Sequence, residues 1–385
     1  MDRTPLGRKT SGRDGALRRP RPRASGRNCC VQSIFRFPPC RSSALIDRAM
    51  RYLFVKLKHI GDALLLTPTL QAVREFDPNA LIWVVVRRGT EGVLEGCSVI
   101  DRVLTAAAPE AGNRSRVEWW SEVKLGLELR RQRFDYAFEL TDGDRGRWVA
   151  GLSAACRRCA NTSFYSLNPW WRLWFNGRSH HEWAQGHRVE KDFFTVRDFL
   201  PIGAAPPPMV FDRSRTMKWD KLEGDADFVV LHPGTRWKRK RWLHDRWVEV
   251  GRSLLNHVPR IVISAGPDTE EVESAARLTA ELGSRAISTQ GTLTWAHLAW
   301  VLHRAKLFVG VDTAAMHLAA ACQCPIVALF GPSVVSQWAP WKVPHQIVLP
   351  VGDPYGGNGP GEFLMETIDS QSVIKACTAM MCARK

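Results

Sequence analysis

Residues 307–330 read LFVGVDTAAMHLAAACQCPIVALF, and this stretch decides the fold class. Leu307–Val311 is a short apolar run of strand length, Ala314–Cys322 has helical character, and Ile326–Phe330 is a second apolar run. Strands this apolar are buried on both faces, as in a parallel sheet whose crossovers are helices. Working toward the N-terminus, the same rhythm recurs. Phe228–Leu231 and Ile261–Ser264 read as strands, and His244–Leu255 and Thr269–Leu282 as helices. Thr294 stands where a side-chain oxygen caps a helix carrying Leu298, Val301 and Leu302. Pro201–Pro208, with Gly203 and three consecutive prolines, reads as a stiff linker. Before it the alternation runs through Tyr52–Leu57, Pro68–Phe76, Leu81–Val86, Glu118–Arg131 and Phe134–Leu140, and then becomes irregular over residues 150–200. The tail ends in one more helix beginning near Asp369. The expected architecture is α/β, with two Rossmann-like doubly wound lobes and a ligand cleft between them at the carboxyl ends of the strands.

The chain has 385 residues, enough for two domains, and 45% of them are hydrophobic, enough for two cores. No run approaches the ~18 apolar residues that a membrane-spanning helix needs, so the reading is a soluble or peripheral protein. The formal net charge is +16, but residues 1–49 hold eleven Arg, one Lys and three Asp, which is +9 of that total. This basic leader has nothing to bury, so it is expected to be disordered. A nucleic-acid or membrane arm, a transit-like leader and sequence translated upstream of the true start compete for it. The last is preferred, because Met50 stands directly before the first strand. The leader lacks the apolar core of a secretory signal. Ten Cys without framework spacing, including a lone CxxC at Cys156 and Cys159, fit reduced thiols rather than disulfides or zinc.

Four segments carry residues suited to chemistry. Gly61 and Asp62 follow the first strand, where a carboxylate near a helix start either acts as a general base or caps its own backbone. HPGTRWKRKRW at 232–242 follows a strand. Gly234 and Thr235 allow close backbone approach, while Arg236, Lys238, Arg239, Lys240 and Arg241 supply cations suited to a diphosphate. Without a broad basic stripe elsewhere, this loop is a poor nucleic-acid footprint, so no nucleic-acid partner is expected. Asp312 and Thr313 end a strand and open a helix, presenting free N–H groups to an anion, with His317 one turn further on the same face. Asp268, in SAGPD at 264–268, is placed to accept from ribose hydroxyls. Asp142-Gly-Asp144 has the DxD spacing of some metal-binding transferases but lies far along the chain from the phosphate candidates. It reads as a loop, with no metal expected.

Together these segments resemble glycosyltransferase family 9, the bacterial lipopolysaccharide heptosyltransferases. The resemblance is carried by KLKHIGDALLLTPTL at 56–70, HPGTRWKRKRW, and GVDTAAMHLAAACQCPIVALFGPS at 310–333 followed by QWAPW at 337–341. The triplet Thr235–Trp237, SAGPD, GTLT at 291–294 and FGPS with WAPW look most like the heptosyltransferase III branch. The resemblance implies a GT-B fold with no cofactor: an acceptor-side domain over 50–200, a linker over 201–208, a nucleotide-sugar domain over 209–350, and a loop and helix over 351–385. It also implies an inverting, metal-free transfer from ADP-L-glycero-D-manno-heptose to the inner core of lipopolysaccharide. The reaction would run in the cytoplasm at the inner-membrane surface. Asp62 falls on the family's catalytic base, with Gly61 beside it on the acceptor side. Lys240 falls on its phosphate-contacting lysine, with Lys238 an alternative because the loop is one residue longer. Thr235, Asp268, Asp312, Thr313 and His317 fall on nucleotide-binding positions. Ala314 stands where many members have Gly. Another nucleotide sugar or acceptor, or a sugar-nucleotide epimerase of similar fold, are the rival readings. Trp170–Phe175 suits either a saccharide or headgroup contact or an internal apolar patch.

Overall fold

A computed structural model describes residues 48–107, 116–163, 167–183, 186–222, 224, 227–352 and 365–382, with backbone alone at 116–119; all belong to the unit Cys40–Lys385. Nearly the whole basic leader, at 1–47, and the tail segment 353–364 lie outside the described residues.

Two six-stranded parallel sheets organise the chain. In the first half β1 (Arg51–Lys56), α1 (Ile60–Leu65), α2 (Thr67–Phe76), β2 (Leu81–Arg87) and β3 (Arg102–Ala106) lead to α3 (Arg116–Gln132). β4 (Tyr136–Glu139), α4 (Asp144–Leu152), β5 (Arg157–Asn161), α5 (Pro169–Trp174), β6 (Gly177–Ser179) and α6 (Arg188–Arg197) complete that half. The second half runs β7 (Phe228–His232), α7 (His244–Leu254), β8 (Arg260–Ile263), α8 (Thr269–Leu282), β9 (Ala286–Ser288) and α9 (Trp295–Arg304). It closes with β10 (Leu307–Val311), α10 (Ala314–Ala321), β11 (Ile326–Leu329), α11 (Val335–Trp338), β12 (His345–Val348) and α12 (Ser370–Cys382).

The strand orders are β3-β2-β1-β4-β5-β6 and β12-β11-β10-β7-β8-β9. Each reads 3-2-1-4-5-6 in its own half, the doubly wound order whose reversal lies beside the first strand. The sequence dictates this directly. β1 and β10 are buried along nearly their whole length, which only a central position covered on both faces allows. Register follows the apolar runs: Val55 pairs with Val85 and Glu139 across the first sheet, and Gly310 with His232 and Ala328 across the second. Both switch points therefore put strand ends and helix starts at one edge of each sheet: Lys56 and α1 in one lobe, Val311 and α10 in the other.

Local signals hold where they were read. Thr294 Oγ1 accepts from His297 N at the start of α9. The helical region after Asp62 restarts at Pro68, which sits in the first turn of α2, where its missing N–H costs nothing, with α1 before it as a separate turn-and-a-half. Residues 201–208 form no regular element, and the second lobe grips them: Trp341 Nε1 donates to Pro207 O at 2.9 Å and Lys342 Nζ to Pro206 O at 2.6 Å. The irregular stretch after 150 turns out to hold β5, α5, β6 and α6. Among the described residues no helix is long and apolar enough to cross a membrane, and the described cysteines are free thiols.

Candidate active site

The two switch points face each other. α1 and α10 pack across the gap, and the contact is tight because Gly61 has no side chain: a Cβ there would lie 3.1 Å from His317 Cδ2 and 4.0 Å from Ala314 Cα. Asp62 is 5% exposed, and its Oδ2 accepts from His59 N at 3.3 Å, so the carboxylate is fixed at the start of α1 with the positive helix end behind it. Asp62 thus serves its own backbone, and a carboxylate held in this way can also take a proton. His317 is buried, and desolvation holds its pKa below the usual imidazole range, although Asp312 and Asp62 pull it upward. A neutral ring therefore separates the two carboxylates.

On the second-lobe side Lys240 Nζ lies 2.6 Å from Asp312 Oδ2, and His317 Nε2 lies 3.9 Å from Asp312 Oδ1. The short turn Lys238–Lys240 aims Lys240 inward while Arg236 and Lys238 stay exposed. Lys238 and Arg241 both pair with Glu270 at the surface, at 3.2 and 2.6 Å. Thr313 is the N-cap of α10, yet its side chain caps nothing; among the described residues its buried Oγ1 has no partner, nor has His317 Nδ1. Free helix N–H groups beside an orphaned hydroxyl are groups that an anion can satisfy. Ala314, the first residue of α10, narrows that approach by one methyl group. Thr235 is buried behind the loop, its Oγ1 accepting from Trp237 N at 3.3 Å.

Asp268 stands apart from this group. It is exposed, and its Oδ1 caps α8 by accepting from Glu270 N at 3.1 Å. The carboxylate that meets the glycine turns is Glu271: Oε2 accepts from Gly266 N at 3.0 Å and lies 2.6 Å from where a Gly234 Cβ would be. Burial holds the Glu271 carboxyl above the usual range, the Gly266 N–H pulling it back only in part. Sequence reading passed over Glu271; its signal was the Asp-x-x-Glu spacing from 268 to 271 at a helix start.

Beneath Asp62 lies a second group that sequence reading did not assemble. Lys56 Nζ is 2.6 Å from Asp192 Oδ2, both buried, and Lys191 meets Asp142. Lys58 stands 3.6 Å from the same Asp142 carboxylate, and burial followed by Lys56 lowers its pKa. The DxD carboxylates therefore diverge: Asp142 faces the two lysines, while Asp144 Oδ1 takes the Trp171 indole N–H at 2.8 Å and Arg147 at 3.1 Å. Among the described residues no group of three or more His, Cys, Asp or Glu is arranged to hold a metal ion. From the same α6, Arg188 reaches Gln337 Oε1 of the second lobe at 2.8 Å between the Trp183 and Trp338 rings, and His187 Nε2 donates to Ala339 O at 2.9 Å. The start of α6 thus touches the second lobe at Gln337 and at Trp338 and Ala339 of the WAPW segment.

The sequence pattern of glycosyltransferase family 9 (heptosyltransferase) matches residues 123–352, well over half of the chain. The chain belongs to glycosyltransferase family 9. Curated relatives in the family include lipopolysaccharide heptosyltransferase 3 of Escherichia coli K12, 24% identical over 301 residues, which are 74% of this chain and 83% of that protein. Lipopolysaccharide heptosyltransferase 1 of the same organism is 28% identical over 298 residues, 74% of this chain and 88% of that protein. Among solved structures, Escherichia coli ADP-heptose lps heptosyltransferase II superposes with a TM-score of 0.71 at 18% identity, over 87% of this chain and 99% of that one. Escherichia coli heptosyltransferase WaaC with ADP-2-deoxy-2-fluoro heptose gives a TM-score of 0.71 at 20% identity, over 86% and 99%. The fold is GT-B, and the general reaction is the family's glycosyl transfer. The third branch is not singled out, since type 1 relatives match with higher identity than type 3.

Proposed function

We propose that the protein is an inverting, metal-independent heptosyltransferase that moves a heptose from ADP-L-glycero-D-manno-heptose to the inner core of lipopolysaccharide at the cytoplasmic membrane surface. The observation that supports this reading is the apposition of α1 and α10: Gly61, beside Asp62, packs against His317 and Ala314, and Lys240 meets Asp312 just before α10. The names of the relatives support the choice of sugar and acceptor.

The chemistry follows from the positions. The acceptor hydroxyl gives its proton to Asp62 as its oxygen attacks the anomeric carbon from the face opposite the diphosphate, and the bond from that carbon to the diphosphate oxygen breaks. Charge grows on the departing ADP. Lys240, the Thr313 hydroxyl and the first N–H groups of α10 neutralise it in a site shielded from water. Asp312 holds Lys240 toward that helix end until phosphate oxygens compete for the ammonium. Gly234 and Glu271 lie where the nucleoside would run, with Glu271 an acceptor for ribose hydroxyls in place of the more distant Asp268. With a lysine and a helix end meeting the leaving group, no divalent cation is needed.

A crystal structure with ADP tests this reading. Phosphate oxygens are expected within hydrogen-bonding distance of Lys240 Nζ and the α10 N-terminus, and a nucleotide bound elsewhere would contradict it. Mass spectrometry of core oligosaccharide from a deletion strain would then name the missing sugar, and an intact core would refute the acceptor.

A further inference from the structure

The first lobe carries an apolar face on α3, α4 and α5. Among the described residues thirteen large hydrophobic side chains are exposed, and six of them fall on these three helices, so the exposure is concentrated rather than scattered. Leu173 is 77% exposed, Trp170 53%, Leu127 51% and Trp148 46%. The strip is continuous. Leu127, Leu152 and Trp148 line a groove of about 340 Å³ between α3 and α4, and the Trp148 ring lies 5.3 Å from Trp174, which in turn lies 5.9 Å from Trp170.

The exposure is built in rather than the result of fraying. Asn168 Oδ1 caps α5 by accepting from Trp171 N at 2.9 Å, Pro169 opens the helix, and buried Trp171 is anchored through its indole N–H to Asp144. Trp171 is thus sunk as the foundation of this short helix while Trp170 and Leu173 are held outward. The border is cationic: Lys124, Arg130 and Arg131 on α3 and Arg172 on α5 are exposed, whereas Glu122 and Glu128 of α3 are each paired with an arginine.

We infer that this face docks on a bilayer surface carrying anionic lipid, with Trp170 and Leu173 entering the headgroup region and the surrounding Lys and Arg meeting lipid phosphates. Amphipathic aromatic rings suit that interface, a protruding leucine gains from insertion, and the cations add attraction to anionic headgroups. A saccharide platform would instead present flat rings with polar partners beside them, and Leu173 offers neither. The location fits: α4 begins two residues after Asp142, which faces Lys58 on the loop leading into α1, so the face starts at the acceptor edge of the cleft. The inference deepens the acceptor reading proposed above, but lipid binding is measured without turnover.

The test is flotation of the full chain with vesicles of phosphatidylglycerol and phosphatidylcholine, and with phosphatidylcholine alone, at low and high salt. Every variant keeps residues 1–49, so their charge cancels in the comparison. The protein is expected to float with the anionic vesicles, less so in high salt. Trp170→Gln with Leu173→Gln should weaken that binding about tenfold or more, and Arg130→Gln with Arg131→Gln should weaken it on anionic vesicles only. Transfer to a lipid-free core oligosaccharide should be unchanged in both double variants. Equal flotation of wild type and Trp170→Gln/Leu173→Gln would overturn the inference. So would loss of transfer to the lipid-free acceptor, or a dimer that the double variant dissolves. A wild type that binds vesicles but transfers to no acceptor would sink the proposed function and leave this surface standing.

Discussion

The His317 ring of the second lobe rests on the backbone of Gly61 in the first, its Cδ2 3.1 Å from where a Gly61 Cβ would stand. One hydrogen in place of a methyl group thus sets how closely α1, which carries Asp62, approaches α10. Gly61 is inside α1, so Gly61→Ala gains up to ~1 kcal/mol in helix propensity while forcing the ring back by a few tenths of an ångström. The expected result is a nearly unchanged melting temperature with turnover reduced about tenfold, because small displacements of reacting groups are costly. Gly61→Val should also destabilise, by roughly 1–3 kcal/mol. Unchanged kcat in Gly61→Ala would show that the gap is not set here.

Lys240 and Lys238 differ in what they reach. Lys240 meets Asp312 at the head of α10, whereas Lys238 is exposed and pairs with Glu270. Lys240→Ala should lower kcat by roughly 10²–10³, the scale of losing one preorganised donor to a leaving group. Lys238→Ala should lose about threefold or less, since an exposed, solvent-screened pair contributes little. Steady-state kinetics of the two variants checks the ranking, and the reverse order would move the phosphate contact along the loop.

The Lys56–Asp192 pair is buried on both sides, at the end of the strand that leads toward α1. Lys56→Met should cost roughly 3–5 kcal/mol, because Asp192 is left charged without its partner. Adding Asp192→Leu should recover much of that loss in urea denaturation. If the double variant is no more stable than the single one, the pair does not act as a unit.

His187 gives a pH dependence. Its Nε2–H donates to Ala339 O of the second lobe and its Nδ1 accepts from Val189 N, so the ring is neutral; burial lowers its pKa to about 4. The unfolded chain binds a proton here near 6.5, so between about 6.5 and 4 the unfolded state holds more protons than the folded one. Stability from this group is fully present above pH 6.5 and is lost as pH falls toward 4, up to ~3 kcal/mol. Denaturation series at pH 7 and 5 should show a shallower decline for His187→Gln than for the natural chain. Parallel declines would assign the acid sensitivity to other groups.

The legibility of this chain has a physical pattern. β10, α10 and β11 were plain in the sequence because a strand buried on both faces must be a continuous apolar run. β5 and β6 were not: RRCAN and GRS are short and rich in polar residues, so neither alternation nor apolarity announces them. Losing those strands hid α6, and with it Lys191, Asp192 and the Arg188 and His187 contacts to the WAPW segment. Asp142, held at a φ of 61°, is turned toward lysines that lie 84 and 49 positions away (142 − 58 and 191 − 142), a relation no spacing rule expresses.

The same holds within the site. HPGTRWKRKRW and GVDTAAMH each signalled an anion on their own, but that Lys240 is the cation turned inward depends on one turn of backbone at 238–240. Asp268 and Glu271 are three residues apart on one helix start, and only packing against Gly234 and Gly266 separates the cap from the carboxylate beside the glycines. Trp170–Phe175 carried two readings, and the structure divides the segment by burial. Trp171 and Phe175 are core, while Trp170 and Leu173 face outward.

The central claim is that Asp62 takes the acceptor proton while the opposite lobe holds the nucleotide. Transfer kinetics of Asp62→Ala, measured beside calorimetric ADP binding, tests it most directly. Turnover should fall by roughly 10²–10⁴ while the Kd for ADP stays within about twofold. Turnover close to that of the natural chain, or ADP affinity lost along with it, would contradict the account.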